Sequence, residues 1–241
     1  MKRLFVMSSV LLLLLAGCSS ANTAVELRIA PAGQAHKKEL LEAAVKVVQG
    51  RMEQAGQKMK AVNLTEEESG AVLRFAVADA AVREKLLSDL SEPFSLALMV
   101  EAPKEEADIY SELYGGFRET GITEKHVTWA TSSETPAGLG TATIGLTKVA
   151  ETHLGTIYSQ NLDSEIALFV RGHLMSRKRI TGTDKEGPLQ IDNIPSPAVA
   201  AVFANDVNVG SFVTFHPLTI GEGTSASSSS TASGSSLSQN P

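Results

Sequence analysis

Residues that could do chemistry are few in this chain, and they are widely spaced. None of the five histidines, His36, His126, His153, His173 and His216, has another four positions away, the spacing that places two metal ligands on one helix face. No Gly-x-Ser-x-Gly motif occurs either, so a hydrolase nucleophile has no local signature. We therefore expect no catalytic residues, no metal site and no cofactor. A cryptic enzyme remains only the third alternative for the function.

The one residue with an assignable modification is Cys18, the only cysteine in the chain. Lys2 and Arg3 precede an apolar run that is shorter than the about 20 residues a spanning helix needs. Small residues then mark a cleavage site. Residues 15–18, Leu-Ala-Gly-Cys, resemble the lipobox of bacterial lipoproteins, in which the cysteine becomes the first mature residue and carries lipid. The resemblance implies a membrane anchor at Cys18, and the alternative is an ordinary cleaved signal with a chance cysteine.

The charge balance argues against a nucleic-acid partner. Once Lys2 and Arg3 leave with the signal, 19 basic residues remain against 27 acidic ones, a formal net charge of −8. Binding to nucleic acid needs a basic footprint, which an acidic protein lacks. No later apolar stretch is long enough to cross a bilayer. We expect a protein of the cell envelope, lipid-anchored on the extracytoplasmic side, at the face of an inner or outer membrane or at the cell surface.

Apolar periodicity in the first half predicts alternating strands and helices. The order is strand, helix, strand, strand, helix, strand, which is that of ferredoxin-like folds. We expect residues 25–102 to form such a subdomain after a signal peptide (residues 1–17) and a tether (residues 18–24). The predicted elements are, in order, Val25–Ile29, Lys37–Ala55, Met59–Leu64, Val72–Ala78, Ala80–Leu90 and Phe94–Val100.

The second half predicts another α+β subdomain, residues 121–218, after a linker or peripheral helix (residues 103–120). Its clearest signals are a hairpin turn at Arg171-Gly172 and a helix from Ala198 to Asp206 with Ser196 as its cap. That helix is apolar nearly all round, so we expect it to be buried. Residues 219–241 are rich in Ser, Thr, Gly and Ala, which predicts a disordered tail.

The second half resembles the head subdomain of the extracytoplasmic domain of SecD, a subunit of the protein-export machinery, and the first half fits the base of that domain. Several short segments carry the resemblance through their order and spacing. They are Thr120–Thr123, Ile157–Asn161, Ile166–Leu168, Val170–Gly172, Ser196–Ala204 and, in the first half, Leu41–Gly56. The resemblance implies a base-plus-head α+β fold, with translocase components or unfolded polypeptide as partners.

The chain also departs from the SecD pattern. Arg171 stands where the family usually has an acidic turn residue, and Arg177 and Lys178 stand where Ala-Pro is common. Asp163-Ser164 stands where Gly-Lys is common. SecD proteins also have membrane helices with charged residues implicated in proton-driven export, and this chain has no comparable segment. The resemblance therefore implies a detached domain and not a proton-coupled motor.

One basic cluster is a candidate contact site on this acidic protein. It comprises Arg171, His173, Arg177, Lys178 and Arg179, all on one predicted hairpin. The functional interpretation is a contact for an acidic partner or for anionic lipid headgroups. The alternative is a solvated hairpin edge whose charges deter aggregation.

These observations favour a lipid-anchored, non-enzymatic domain that binds polypeptide or a translocase partner in protein export. The alternative is a lipoprotein that binds a small ligand, or assists envelope assembly, through the cleft between its subdomains. An exposed apolar groove beside the Arg171 hairpin would favour peptide binding.

Overall fold

The computed structural model describes residues 21–184 and 186–218, and in this part of the chain it confirms the predicted α+β class. The predicted signal peptide, Cys18 and the Ser-rich tail lie outside the described residues. The strands are β1 (Ala21–Ile29), β2 (Lys60–Glu67), β3 (Gly70–Val77), β4 (Leu96–Ala102), β5 (Ile109–Ser111), β6 (Gly115–Thr123), β7 (Val127–Glu134), β8 (Gly140–Leu146), β9 (Glu165–Val170), β10 (His173–Arg179), β11 (Leu189–Ile194) and β12 (Val213–Leu218). The α-helices are α1 (Lys37–Gln54), α2 (Ala80–Ser91), α3 (Lys148–Gln160) and α4 (Pro197–Phe212).

The first sheet has four antiparallel strands in the order β12-β1-β3-β2. Alternation along β1 sends Val25, Leu27 and Ile29 into a core that we call the first core, formed with α1, α2 and β3. The carboxylate of Asp79 accepts hydrogen bonds from the first turn of α2, as its position in the sequence predicts. Strand β1 lies between β3 and the last strand, which is the split arrangement of ferredoxin-like folds.

The strand predicted at Phe94–Val100 forms as β4, but its predicted place in the first sheet is wrong. Strand β4 pairs with β6 and β9 at the centre of a second sheet, in the order β10-β9-β4-β6-β5. Leu98 and Val100 point into one core and Met99 into another, so β4 is buried on both faces, as a central strand should be. The fourth strand of the first sheet is β12, from the other end of the described chain.

The segment predicted as a linker or peripheral helix, residues 103–120, forms a 3₁₀ turn, the short strand β5 and most of β6. Phe117 is buried in β6, and its ring centroid lies 5.7 Å from that of Phe169. Tyr114 packs on both rings. A Cβ at Gly116 would lie 2.6 Å from the carbonyl oxygen of Ala102, so this glycine lets β6 approach β4 closely. The sequence left a linker or a peripheral helix open for this segment, but the pairing of β6 with β4 requires a strand here.

The second core lies between the second sheet, α3 and a third sheet in the order β11-β8-β7. The hairpin turn predicted at Arg171-Gly172 is confirmed between β9 and β10, with φ angles of 50° and 74°. Positive φ at both central residues matches the right-handed twist of the flanking strands.

Helix α4 extends the predicted helix by one residue at its start and six at its end, and it packs against both cores. Ser196 accepts a hydrogen bond from the Val199 N–H, which confirms the predicted cap. Ala204 and Val207 lie in the second core. Val209 and Phe212 lie in the first core, one turn further along.

The buried Asn208 side chain holds α4 against β7. Its Oδ1 accepts from the Ala130 N–H at 2.7 Å, and its Nδ2 donates to the Ala130 carbonyl at 2.8 Å. Because β7 is an edge strand, these backbone groups have no strand partner, and the amide satisfies both. On the same strand, Trp129 stacks between His36, at 4.2 Å, and Phe212, at 6.0 Å between ring centroids.

Among the described helices, none combines the length and the apolar character needed to cross a bilayer.

We predict that Asn208→Ala lowers the free energy of unfolding by about 2–6 kcal/mol, because it leaves two buried backbone groups unpaired at about 1–3 kcal/mol each. Urea denaturation measures the change. Asn205→Ala, on the same helix but only half-buried, is the matched control and should change stability by less than about 0.5 kcal/mol. Equal effects of the two substitutions would contradict the role given to Asn208.

Candidate binding groove

The predicted basic hairpin borders an open groove between the two cores. The groove has a volume of about 670 Å³. Its walls come from α1, the end of α2, the β9–β10 hairpin and α4. Arg171 and His173, two of the five predicted contact residues, line it.

Arg171 is held in place by its backbone and by one aromatic ring. Its N–H donates to the Ser95 carbonyl at 2.9 Å. Its guanidinium lies over the ring of Phe94, at 5.2 Å from the centroid. Phe94 in turn packs on Gly210 of α4 so closely that a Cβ there would lie 2.2 Å from the ring. The hairpin turn is thus fixed against α4, and the Arg171 charge sits at the groove wall.

Apolar side chains line the groove and remain accessible to solvent. Val199, Val202 and Phe203 follow one another at helical spacing along α4, and all three line the groove. Val202 is 67% exposed, Val199 is 50% exposed and Met175, on β10, is 49% exposed. The prediction that α4 is buried all round is therefore wrong on this face. We call Met175, Val199, Val202 and Phe203 the apolar stripe.

Gly50 of α1 leaves additional room in the groove. A Cβ built there meets no atom within 4 Å, so this glycine is not needed for packing. Glycine inside a helix costs about 0.5–1 kcal/mol relative to alanine. At this position it widens the groove at the expense of helix stability.

Charges of both signs lie along the walls. Arg51 donates from Nη1 to the Asp89 carbonyl at 3.1 Å, and its Nη2 is 3.8 Å from a carboxylate oxygen of Asp206. Burial lowers the pKa of Arg51, and the positive charge of Arg171 lowers it further. Arginine stays protonated despite such shifts, so two guanidinium charges repel each other across the groove.

The other three predicted contact residues do not join this site. Arg177 forms a salt bridge with Glu165 at 3.1 Å. Lys178 forms one with Asp184 at 2.6 Å. Burial alone would raise the pKa of Asp184, but hydrogen bonds from Lys178 and Thr181 outweigh it and lower that pKa. Arg179 is exposed at the end of β10 and is not among the groove-lining residues. The basic cluster is thus divided, with Arg171 and His173 at the groove and Arg177 and Lys178 neutralised locally.

Several of the histidines have structural contacts. His36 stacks on Trp129. His126 Nδ1 accepts from the Thr123 N–H at 3.1 Å, and His153 Nε2 donates to the Thr120 carbonyl at 2.8 Å. Across residues 21–184 and 186–218, no three His, Cys, Asp or Glu side chains are grouped to hold a metal ion.

Sequence reasoning missed the apolar stripe and Arg51. The stripe did leave a signal, because a helix that is apolar on every side must either be buried or present one face to a partner. Arg51 lies in Leu41–Gly56, a segment that was interpreted through its helical periodicity and its resemblance to SecD and not as part of a binding site. Its partners on α2 and α4 are 38 residues or more away along the chain.

Comparison with known proteins finds no matching protein-family profile and no curated protein that matches by sequence. Three solved structures of SecDF are similar. SecDF from Thermus thermophilus, described as a translocon-associated membrane protein, is 13% identical with a TM-score of 0.46, over 82% of this chain and 30% of that one. A structure of SecDF in a super-membrane-facing form is 14% identical with a TM-score of 0.45, over 82% and 30%. A third, of a membrane component that enhances protein export, is 12% identical with a TM-score of 0.44, over 81% and 97%.

These structures agree with the resemblance to SecD predicted from the sequence. The chain spans 30% of the SecDF chain in two of them. With TM-scores below 0.5, the likeness carries no argument about function.

Proposed function

We propose that this protein is a lipid-anchored, non-enzymatic domain of the cell envelope that holds unfolded polypeptide in the groove between its two cores. The observation that carries the proposal is the apolar stripe, which is exposed on α4 and β10 inside an open groove. Contiguous apolar surface rimmed by polar side chains is typical of a protein-binding site.

The size of the stripe favours weak, reversible binding. Covering the exposed parts of Met175, Val199 and Val202 contributes about 1 kcal/mol each, at about 25 cal/mol per Å² of apolar surface. The entropy lost on association opposes this gain. A domain that holds a passing polypeptide must also release it, and a modest contribution suits that requirement.

Reaction chemistry is not part of the proposal. None of the residues that line the groove is a serine, threonine or cysteine, and His173 is the groove's single histidine. A nucleophile paired with a base would be needed for covalent catalysis. The groove offers instead apolar contact and charges of both signs, which suits segments of varied sequence.

The sequence resemblance to SecD makes exported polypeptide, or a translocase component, the partner that we propose. Lipidation at Cys18 would hold the domain close to the membrane, where such segments emerge. Only Ser19 and Ser20 separate Cys18 from β1, which begins at Ala21 and not at the predicted Val25. Three extended residues span at most about 10 Å, so the domain would lie against the membrane surface.

A small ligand is the second candidate for the occupant of the groove, and the volume of the groove favours it. Ligand pockets have volumes of about 300–1,000 Å³, and this groove falls within that range. A small ligand would raise the melting temperature of the protein, by an amount that grows with the logarithm of its concentration relative to its Kd, without any need for unfolded polypeptide.

We expect the domain to bind a fluorescent peptide of alternating leucine and serine with blocked termini, measured by fluorescence anisotropy. Val202→Ser should weaken binding about fivefold, because it removes about 1 kcal/mol of apolar contact. Val149→Ser is the matched control, since Val149 is 78% exposed on α3 and lies outside the groove. Failure of the unmodified domain to bind, or equal effects of the two substitutions, would contradict the proposal.

A second variant tests the groove by filling it. Gly50→Leu should weaken peptide binding more than tenfold, because its side chain occupies the open space above α1. The melting temperature should stay the same or rise, because leucine favours a helix more than glycine does by about 0.5–1 kcal/mol. Unchanged binding by this stably folded variant would place the peptide elsewhere.

The anchor is tested separately. We expect labelled palmitate to enter the full chain when it is expressed in bacteria and not to enter Cys18→Ser, which should leave the membrane fraction. The physical reason is that several acyl chains together hold a protein stably at a bilayer. Equal labelling, or equal membrane retention, would remove the lipid anchor from the proposal.

A further inference from the structure

We propose that Arg171 forms an anion subsite within the groove, which takes a carboxylate of the bound polypeptide. This inference rests on the proposed function and names a chemical feature of the segment that the groove prefers. The carboxylate comes from an acidic side chain or from a free C-terminus.

The first observation is that Arg171 is a positioned cation without an acidic partner. Among the described residues, no carboxylate lies within salt-bridge distance of its guanidinium, in contrast to Arg177 six positions later on the same hairpin. Its side chain makes no hydrogen bond within this part of the chain, and its guanidinium lies over the face of the Phe94 ring. A guanidinium has five N–H donors in a planar fork, so all of them remain available to a ligand.

The second observation is that the Arg171 charge acts across the groove. It lowers the pKa of Arg51, so the two positive charges interact unfavourably in the unliganded domain. An anion seated between them would relieve that repulsion and gain an attraction from each. Arg51 is only partly compensated, since its carboxylate contact with Asp206 is as long as 3.8 Å.

The acidic side chains that line the groove do not form a salt bridge with Arg171. Asp89, Glu92 and Asp206 act on Arg51, where they oppose the lowering of its pKa. Asp89 lies in α2, Glu92 follows the last residue of α2 and Asp206 lies in α4, whereas Arg171 lies on the β9–β10 hairpin. The groove therefore presents an unpaired positive charge on one wall and the apolar stripe beside it.

The geometry also fixes the kind of ligand. Met175, two residues beyond His173 on β10, brings the apolar stripe to the wall that carries Arg171. A polypeptide segment with apolar residues next to one carboxylate satisfies both features at once. Planar, bidentate recognition of a carboxylate is the contact that arginine makes best.

The test compares four forms of the leucine–serine peptide by fluorescence anisotropy in low and in high salt. Two blocked peptides differ in carrying one glutamate or one glutamine at the same position, and two further peptides differ in having a free or an amidated C-terminus. We expect the carboxylate-bearing member of at least one pair to bind about three- to tenfold more tightly in low salt, with the preference reduced in high salt. The pair that shows the preference identifies the source of the carboxylate.

Three variants assign the preference to Arg171. Arg171→Gln should abolish the preference, so that the two members of the pair bind equally, and Arg171→Lys should retain part of it because the charge remains. Arg177→Gln is the matched control and should keep the full preference, because that arginine already has Glu165 as its partner.

The outcomes separate this inference from the proposed function. If the uncharged peptide binds and neither pair shows a preference, or if the preference survives Arg171→Gln, the anion subsite is wrong and the groove remains a polypeptide site. If no peptide binds at all, both proposals are overturned.

Discussion

Helix α4 has to complete two hydrophobic cores at once, and the rest of the structure depends on that constraint. Its middle packs into the second core through Ala204 and Val207, and its end packs into the first core through Val209 and Phe212. Between these contacts, the Asn208 amide pairs with both backbone groups of an edge strand. Removal of this helix would leave both cores open, so we infer that neither half of the protein folds without it.

The groove follows from the same constraint. A helix that serves two cores turns different faces towards each of them, and the face left over on α4 carries Val199, Val202 and Phe203. In a soluble protein such a face is expected to be polar, and here it is apolar. The stripe lies opposite a glycine on α1 that packing does not require, and beside an arginine fixed on an aromatic ring. Apolar contact and an available charge therefore occur side by side in one groove.

Local signals in the sequence predicted local structure well. The Asp79 cap, the two-residue turn at Arg171-Gly172 and the Ser196 cap all form where the sequence places them, because each depends on residues within a few positions. The sheet to which β4 belongs could not be read this way. Alternating apolar residues predicted a strand at Phe94–Val100, but its neighbour β9 begins more than 60 residues after β4 ends.

The candidate site could be predicted only in part, because it too depends on residues that are distant in sequence. The basic hairpin was visible in the sequence, but which of its charges are free depends on where Glu165 and Asp184 lie. The apolar character of α4 was also visible, but composition does not reveal which face lacks a cover. The groove is built from α1, α2, α4 and one hairpin, so it exists only in the assembled fold. That Arg51 and Arg171 both line it could therefore be seen only in the structure.

Methyl NMR would test most directly the claim that the groove binds polypeptide, because the residues of the apolar stripe have methyl groups that can be observed. The methyl groups of Met175, Val199 and Val202 should shift together and saturably as unfolded polypeptide is added, while those of Val149 on α3 and of Leu113, which is 91% exposed, stay in place. Unchanged stripe methyls, or equal shifts of the stripe and of these two distant residues, would contradict the account of the groove as a polypeptide site.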